Sequence, residues 1–219
     1  STDEVFGSLN NEGLFDESYP YNPQSPYAAS KAASDHLVSS WNNTYGIPTI
    51  ICNCSNNFGP WQFPEKLIPT VIIKALKNQD IPIYGDGLNI RDWIYIEDHI
   101  DALLLIAFEG ESGENYCVGG NNQKTNVEIV KYICFELDKL LPKSEKYSNL
   151  IKYVDDRPGH DKRYAINSSY IKKRLGWEPK NSFESSLTKT IKWYINNIQW
   201  CEDLLVKAKY NGERLGKIN

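Results

Sequence analysis

The chain has 219 residues, 41% of them hydrophobic, enough to bury a sizeable core in one large domain or two small ones. Its net charge of -4 comes from 24 Lys and Arg mixed among 28 Asp and Glu, which leaves no basic stripe for a nucleic-acid backbone and no polybasic patch for a membrane surface. The five cysteines lack CxxC and CxxH spacing, so neither a disulfide framework nor a zinc or other metal site is indicated, and reduced thiols in the cytosol are expected.

No apolar run reaches membrane-spanning length and no signal peptide is seen. Residues 1–7 read as the end of a strand entering a loop, and the chain is expected to be the C-terminal portion of a longer protein. Residues 10–25 are acidic, then rich in Pro, Asn and Tyr, which predicts a surface loop with Pro26 just before a helix over 27–45. The small residues Ala28, Ala29, Ala32, Ala33 and Ser34 permit close packing of that helix. Leu37, Val38 and Trp41 add an apolar stripe suited to a core or to a subunit interface.

The β-branched run over 49–54 predicts a strand covered on both faces, hence a parallel α/β sheet, and residues 55–60 leave its carboxyl end, where such sheets bind ligands. A helix is expected over 68–77, strands over 81–84, 90–96 and 115–120, and an apolar helix from Glu97 and Asp98 to Phe108. Thr125 is placed to cap a helix over 127–140, with Glu128 at the capping-box offset. Beyond it come an extended segment at 151–154, a polar loop at 156–160 and two closing helices over 168–175 and 183–197. No glycine-rich turn follows a strand. The element that cradles a dinucleotide pyrophosphate is therefore outside this sequence: either the protein is independent of nucleotides, or that half lies upstream of Ser1.

Tyr27 and Lys31 are four residues apart on a helix and share a face, so the ammonium would favour the phenolate and the pair could take a proton from a hydroxyl. Tyr and Lys at this spacing also occur on ordinary solvated helix faces.

The segments 1–7, 56–60, 64–69 and 156–160, together with Tyr27, Lys31 and Arg91-Asp92-Trp93, resemble the extended short-chain dehydrogenase/reductase superfamily, and within it the dTDP-glucose 4,6-dehydratases. The resemblance runs from Ser1 to about Trp193, and Thr2-Asp3-Glu4 ahead of the tyrosine helix is its dehydratase-specific part, since epimerases usually carry small or hydroxyl residues there. It implies an α/β fold: the C-terminal part of an NAD(P)-binding Rossmann-like parallel sheet over 1–60, and a smaller mixed α/β sugar-nucleotide subdomain mainly over 61–219, with some segments returning to the sheet. Phe6 and Phe58 depart from the tyrosines more usual in the family, a change that leaves the chemistry alone.

Dehydrating a hexose across C5 and C6 needs a base for the C5 proton and an acid for the departing C6 oxygen in one site. Adjacent carboxyls divide those roles if their surroundings separate their pKa values. By resemblance Glu4 is the base, Asp3 the acid, Thr2 a donor to the C4 oxygen, and Tyr27 the group that takes the C4 hydroxyl proton while hydride passes to NAD. Lys31 would lower the Tyr27 pKa and hold the nicotinamide ribose. The resemblance also makes Asn57 a cofactor contact and Asn56, Lys66 and Leu67 sugar contacts. Pro82, Ile83 and Tyr84 would be the base-binding segment, and Arg91, Asn126, Asp156, Arg157 and His160 the pyrophosphate and ribose ligands, arginine suiting phosphate through its bidentate fork.

Taken singly, Arg91 could instead pair with Asp92, Tyr84 could be core, and His160 a surface residue; His36 and His99 read as structural. The implied partners are dTDP-glucose and a second copy docked through the Tyr27 helix. Competing readings are a dehydratase of UDP-glucose or GDP-mannose, an epimerase of the same superfamily, a truncated and catalytically inactive sugar-nucleotide-binding fragment, and a structural piece that serves association.

Overall fold

The computed structural model describes residues 1–209. Helix α1, Pro26–Tyr45, starts where the Ser25 side chain accepts from the Ala28 N–H and Pro26 fills the first turn, and it stops at Gly46 in the left-handed conformation. Strand β1, Ile51–Cys54, pairs in parallel with β5, Asn115–Val118, and Thr2 bridges in parallel to Cys54, so the chain start lies beside β1. A second sheet takes β2, Asn56–Phe58, parallel to β4, Ile90–Tyr95, which pairs antiparallel with β6, Gln123–Thr125. A third joins β3, Ile81–Tyr84, in parallel to β7, Ile151–Val154.

Around these lie α2, Leu67–Leu76, α3, Ile96–Glu109, and α4, Asn126–Leu140, followed by α5, Ser169–Leu175, α6, Phe183–Asn196, and α7, Ile198–Lys207. The capping box at the start of α4 is complete, with the Thr125 side chain accepting from the Glu128 N–H and the Glu128 carboxylate from the Thr125 N–H. The largest core joins α2, α4 and α6 with β3 through Ile72, Ile133, Leu137, Ile81 and Leu187. A smaller one joins α3, α5 and β5 through Ile106, Ile171 and Tyr116.

Three features differ from the sequence reading. Residues 55–60 contain β2 and residues 123–125 form β6; both are three-residue strands made by pairing with β4 rather than by their own propensity. Helix α7 follows α6 across Asn197 alone, with no Gly or Pro to mark the break. The chain start has the expected strand end, with Thr2 bridged to Cys54, but it enters a short 3-10 turn, Asp3–Phe6, rather than an irregular loop.

The apolar stripe of α1 faces outward: Leu37 is 55% and Trp41 48% exposed, and only Ala28, Ala32 and Asp35 of this helix are buried. Between β2 and α2 the chain passes Trp61, at φ 66°, whose ring packs at 4.8 Å on Trp193 and 5.2 Å on Trp200 from α6 and α7. The buried Asp92 carboxylate on β4 accepts from the N–H groups of Gly120 and Asn122, tying the exit of β5 to β4. A side chain at Gly120 would strike the Trp93 carbonyl. Among the described residues no helix is long and apolar enough to cross a membrane, and all five cysteines are free.

Candidate active site

Adjacent residues on a strand face opposite ways. Here the chain leaves the strand direction after Thr2, and the 3-10 turn sets Asp3 and Glu4 on neighbouring rather than opposed faces. Gly7 closes it at φ 87°, a position where a Cβ would come within 2.6 Å of the Asn22 carbonyl oxygen. Asp3 is 2% exposed and its Oδ2 has no partner. Burial first, then the charges of Glu4 and Asp92, push its carboxyl up to about 8, so it holds a proton at neutral pH. Glu4, half-buried, is also pushed up by burial, but Arg91 and Arg157 pull it back. One member of the pair is thus a proton donor, while the other keeps two guanidiniums that favour its charge. The Thr2 hydroxyl accepts from the Glu4 N–H at 3.3 Å and lies 3.4 Å from Asp3 Oδ1.

Asp35 on α1 holds this turn against the helix: its Oδ2 accepts from Ser1 Oγ at 2.7 Å, the Tyr21 hydroxyl at 3.0 Å and Asn53 Nδ2 at 3.3 Å. Tyr27 in the first turn of α1 is 54% exposed, and its hydroxyl makes no hydrogen bond among the described residues. Its phenol is pushed up by partial burial, then by Glu4, Cys54 and Asp3. The carboxyls therefore lie within electrostatic reach of the phenol. The lowering expected from Lys31 is not present, because the groups that act on the phenol are acidic; Lys31, one turn on, makes no ion pair among the described residues.

Beyond Glu4 opens a cleft of about 370 Å³. It gathers Asn56, Asn57, Lys66, Leu67, Pro82, Tyr84, Arg91, Asn126, Arg157 and His160, together with Gln62, Glu65, Thr70, Val71, Lys74 and Trp93, which the sequence reading did not select. Strand alternation explains why Pro82 and Tyr84 face this space while Ile83 is buried in the core. Tyr84 is therefore not core.

Arg91 does not pair with Asp92. It is 5% exposed, donates from Nη1 and Nη2 to the carbonyls of Ile90 and Asp161, and lies 4.3 Å over the Tyr164 ring. Asp156 stands outside the cleft and meets His160 Nδ1 at 2.7 Å, holding the imidazole that lines it. Burial, with Arg157 and Arg91 nearby, keeps that imidazole below its ordinary pKa, and the hydrogen bond with His160 lowers Asp156.

Asn57 is fixed on every side: Nδ2 donates to the Ser55 carbonyl at 3.1 Å, its own carbonyl accepts from Gln62 Nε2 at 3.0 Å, and Oδ1 meets His99 Nδ1 at 2.7 Å. His99, read from sequence as structural, orients this amide. Burial lowers it to about 4, so it is neutral and donates from Nδ1. No local sequence signal could find a contact spanning 42 residues. Thr70 and Lys74 did have one, since they continue the four-residue spacing from Lys66 along α2.

The family model described as GDP-mannose 4,6 dehydratase matches residues 1–190. A probable dTDP-glucose 4,6-dehydratase of Sinorhizobium fredii is 52% identical over 216 residues, covering 99% of this chain and 61% of that protein. The crystal structure of a dTDP-glucose 4,6-dehydratase from Bacillus anthracis in complex with NAD superposes with a TM-score of 0.85 at 46% identity, over 93% of this chain and 63% of that one. A dTDP-glucose 4,6-dehydratase from Streptomyces venezuelae, with NAD and TYD bound, gives 0.86 at 41% identity, over 93% and 61%. The chain thus spans about three fifths of the length of the proteins it matches.

Proposed function

The chain belongs to the GDP-mannose 4,6-dehydratase family and has its Rossmann-like α/β fold, and from that premise we propose that it is the acid-base and sugar-nucleotide-binding portion of an NAD-dependent dTDP-glucose 4,6-dehydratase. The observation that carries this reading is the Asp3–Glu4 turn, where one carboxyl is pushed up to about 8 and its neighbour faces two arginines at the mouth of a cleft. In this reading residues 1–60 complete a nucleotide-binding sheet and the segment from 61 onward, whose last ten residues lie outside the described ones, forms most of the substrate subdomain, β5 returning to pair with β1.

The hydroxyl of Tyr27 and the ammonium of Lys31, both without partners among the described residues and on one helix, fit with the Asn57 amide at β2 the nicotinamide-ribose end of NAD. When bound there, NAD supplies the reversible hydride acceptor that oxidation at C4 and reduction at C6 require. Tyr27 takes the proton of the C4 hydroxyl, and Thr2 donates to the same oxygen. With C4 a ketone, the C5 proton is acidic enough for Glu4 to remove. Asp3, protonated at neutral pH, gives its proton to the C6 oxygen, which leaves as water. With the hydride restored to C6, Glu4 gives its proton back to C5, and the product is dTDP-4-keto-6-deoxyglucose. Arg91, Arg157, Asn126 and His160, the last held by Asp156, take the pyrophosphate and ribose. Asn56, Lys66 and Leu67 take the sugar, and Pro82, Ile83 and Tyr84 form the base segment, Ile83 through its backbone.

A homodimer through α1 and a cytoplasmic location belong to the same proposal, supported by the outward Leu37 and Trp41 and by the free thiols. The test incubates the chain with NAD and dTDP-glucose, UDP-glucose or GDP-mannose and reads the alkali-induced absorbance of a 4-keto sugar. A signal with dTDP-glucose alone is expected, and none with any sugar nucleotide overturns the dehydratase reading. Calorimetry that found dTDP binding without NAD binding would leave this chain the nucleotide-sugar role only.

A further inference from the structure

The ionisable groups lining the cleft are not equally free to meet a ligand. Lys66 is bound to Glu65 at 3.1 Å, and the two ends of the Arg91 guanidinium already serve backbone carbonyls. Lys74 is different. It lies eight residues beyond Lys66 along α2, an advance of about 12 Å at the helix rise, and shares its cleft-facing row with Thr70. It also borders a larger groove between α2 and α7, but the acids there are spent: Glu202 pairs with Lys77 at 2.8 Å and Asp203 accepts from Gln199 at 2.9 Å. Lys74 itself has no carboxylate partner among the described residues. It is half-buried near the C-terminal end of α2, from which the chain turns directly into β3, and Pro82 and Tyr84 of that strand line the same cleft.

We infer that Lys74 is a specificity-determining residue for the nucleotide, its ammonium donating to a ring carbonyl oxygen of a pyrimidine base seated on Pro82 and Tyr84. This rests on the sugar-nucleotide reading given above. A charge-assisted hydrogen bond to a neutral carbonyl suits a lysine, whose three donors rotate to the acceptor at the end of a flexible stem. Counting Lys66, Lys74, Arg91 and Arg157 against Glu4 and Glu65, the lining carries four cations and two carboxyls, an excess of two. With Lys66 paired to Glu65, Arg91 and Arg157 supply the two charges a diphosphate takes, and Lys74, in the same lining as Pro82 and Tyr84, is left for the base.

The test is titration calorimetry of the 219-residue chain and of Lys74→Met with dTDP and with inorganic pyrophosphate. The substitution is expected to weaken dTDP about tenfold and leave pyrophosphate unchanged, and Lys74→Arg, which keeps a donor, is expected to recover most of the loss. Unchanged dTDP binding in Lys74→Met overturns the inference, as do equal losses for the two ligands, which would place the ammonium on the phosphates. If the unaltered chain fails to bind dTDP, the sugar-nucleotide reading itself falls and takes this inference with it. The Lys74 side chain is only half-buried and holds no partner among the described residues, so unchanged melting of the variants provides the folding control.

Discussion

Beside the cleft the Asp3 carboxyl is withdrawn from water, whereas the Arg157 guanidinium that lines it is left exposed. Asp3 sits fully inside, with one oxygen unpartnered and a proton retained, while Arg157 is exposed and the Asp156 beside it is held below its ordinary carboxylate range. The two ends also differ in how they are built. The acid pair is consecutive in sequence and shaped by a single turn closed at Gly7, whereas the groups proposed to take phosphate and base arrive from α2, β3, β4, α4 and the loop after β7. The contrast teaches what each task requires. Proton donation at neutral pH is obtained by desolvation, and recognition of a diphosphate needs charges that stay ionised.

The largest effect is expected from Tyr27→Phe, which removes the group proposed to accept the C4 hydroxyl proton. Keto-sugar formation should fall by about a thousandfold or more, with dTDP affinity unchanged. A smaller fall would move the chemical end of the cleft away from α1. Asp3→Asn should lower dehydration by about a hundredfold while single-turnover reduction of NAD by the sugar persists, because in the proposed role the acid acts only when the C6 oxygen departs. Loss of both steps would assign Asp3 a different role.

The same residue gives the comparison a pH signature. The Asp3 pKa is raised from 3.8 to about 8 in the fold, so the folded chain binds the extra proton between those values. Stability from this group is complete below about 4 and is lost as pH rises toward 8. The melting temperature should decline over that window, and Asp3→Asn, which stays neutral, should flatten the decline. A profile that does not change in the variant would mean that the carboxyl is not desolvated.

Weaker effects are expected at the other end. Arg157→Ala should reduce dTDP affinity about tenfold and, because that charge acts on Glu4 and not directly on Asp3, leave the Asp3-dependent melting profile largely in place. Coupled changes would show that the two ends act as one unit. The smallest change belongs outside both: Thr125→Ala should cost about 1 kcal/mol of stability in thermal melts through the cap of α4, and leave binding and turnover as they were.

What was legible in the sequence follows the range of the signals. Helix α1 announces itself through Ser25, Pro26 and Gly46, and α4 through Thr125 and Glu128, because caps and turns are local chemistry. The three-residue strands β2 and β6 were not legible, since their extended backbone is set by β4, and α7 lacks the breaker that would separate it from α6. In the site, Tyr27 and Lys31 are visible by spacing alone, but the direction of the Tyr27 shift depends first on burial and then on Glu4, Cys54 and Asp3, which only folding brings near the phenol. The tie between His99 and Asn57 is long-range in the same way.

The stacked indoles of Trp61, Trp193 and Trp200 give the molecule a built-in optical probe. Trp61 precedes Gln62, whose side chain borders the cleft and holds the Asn57 carbonyl, so a ligand that displaces this stretch also shifts an exposed indole against two others. Intrinsic fluorescence should therefore change in intensity and emission maximum as the cleft fills, giving a label-free reading of occupancy in which Trp61→Phe is the natural blank.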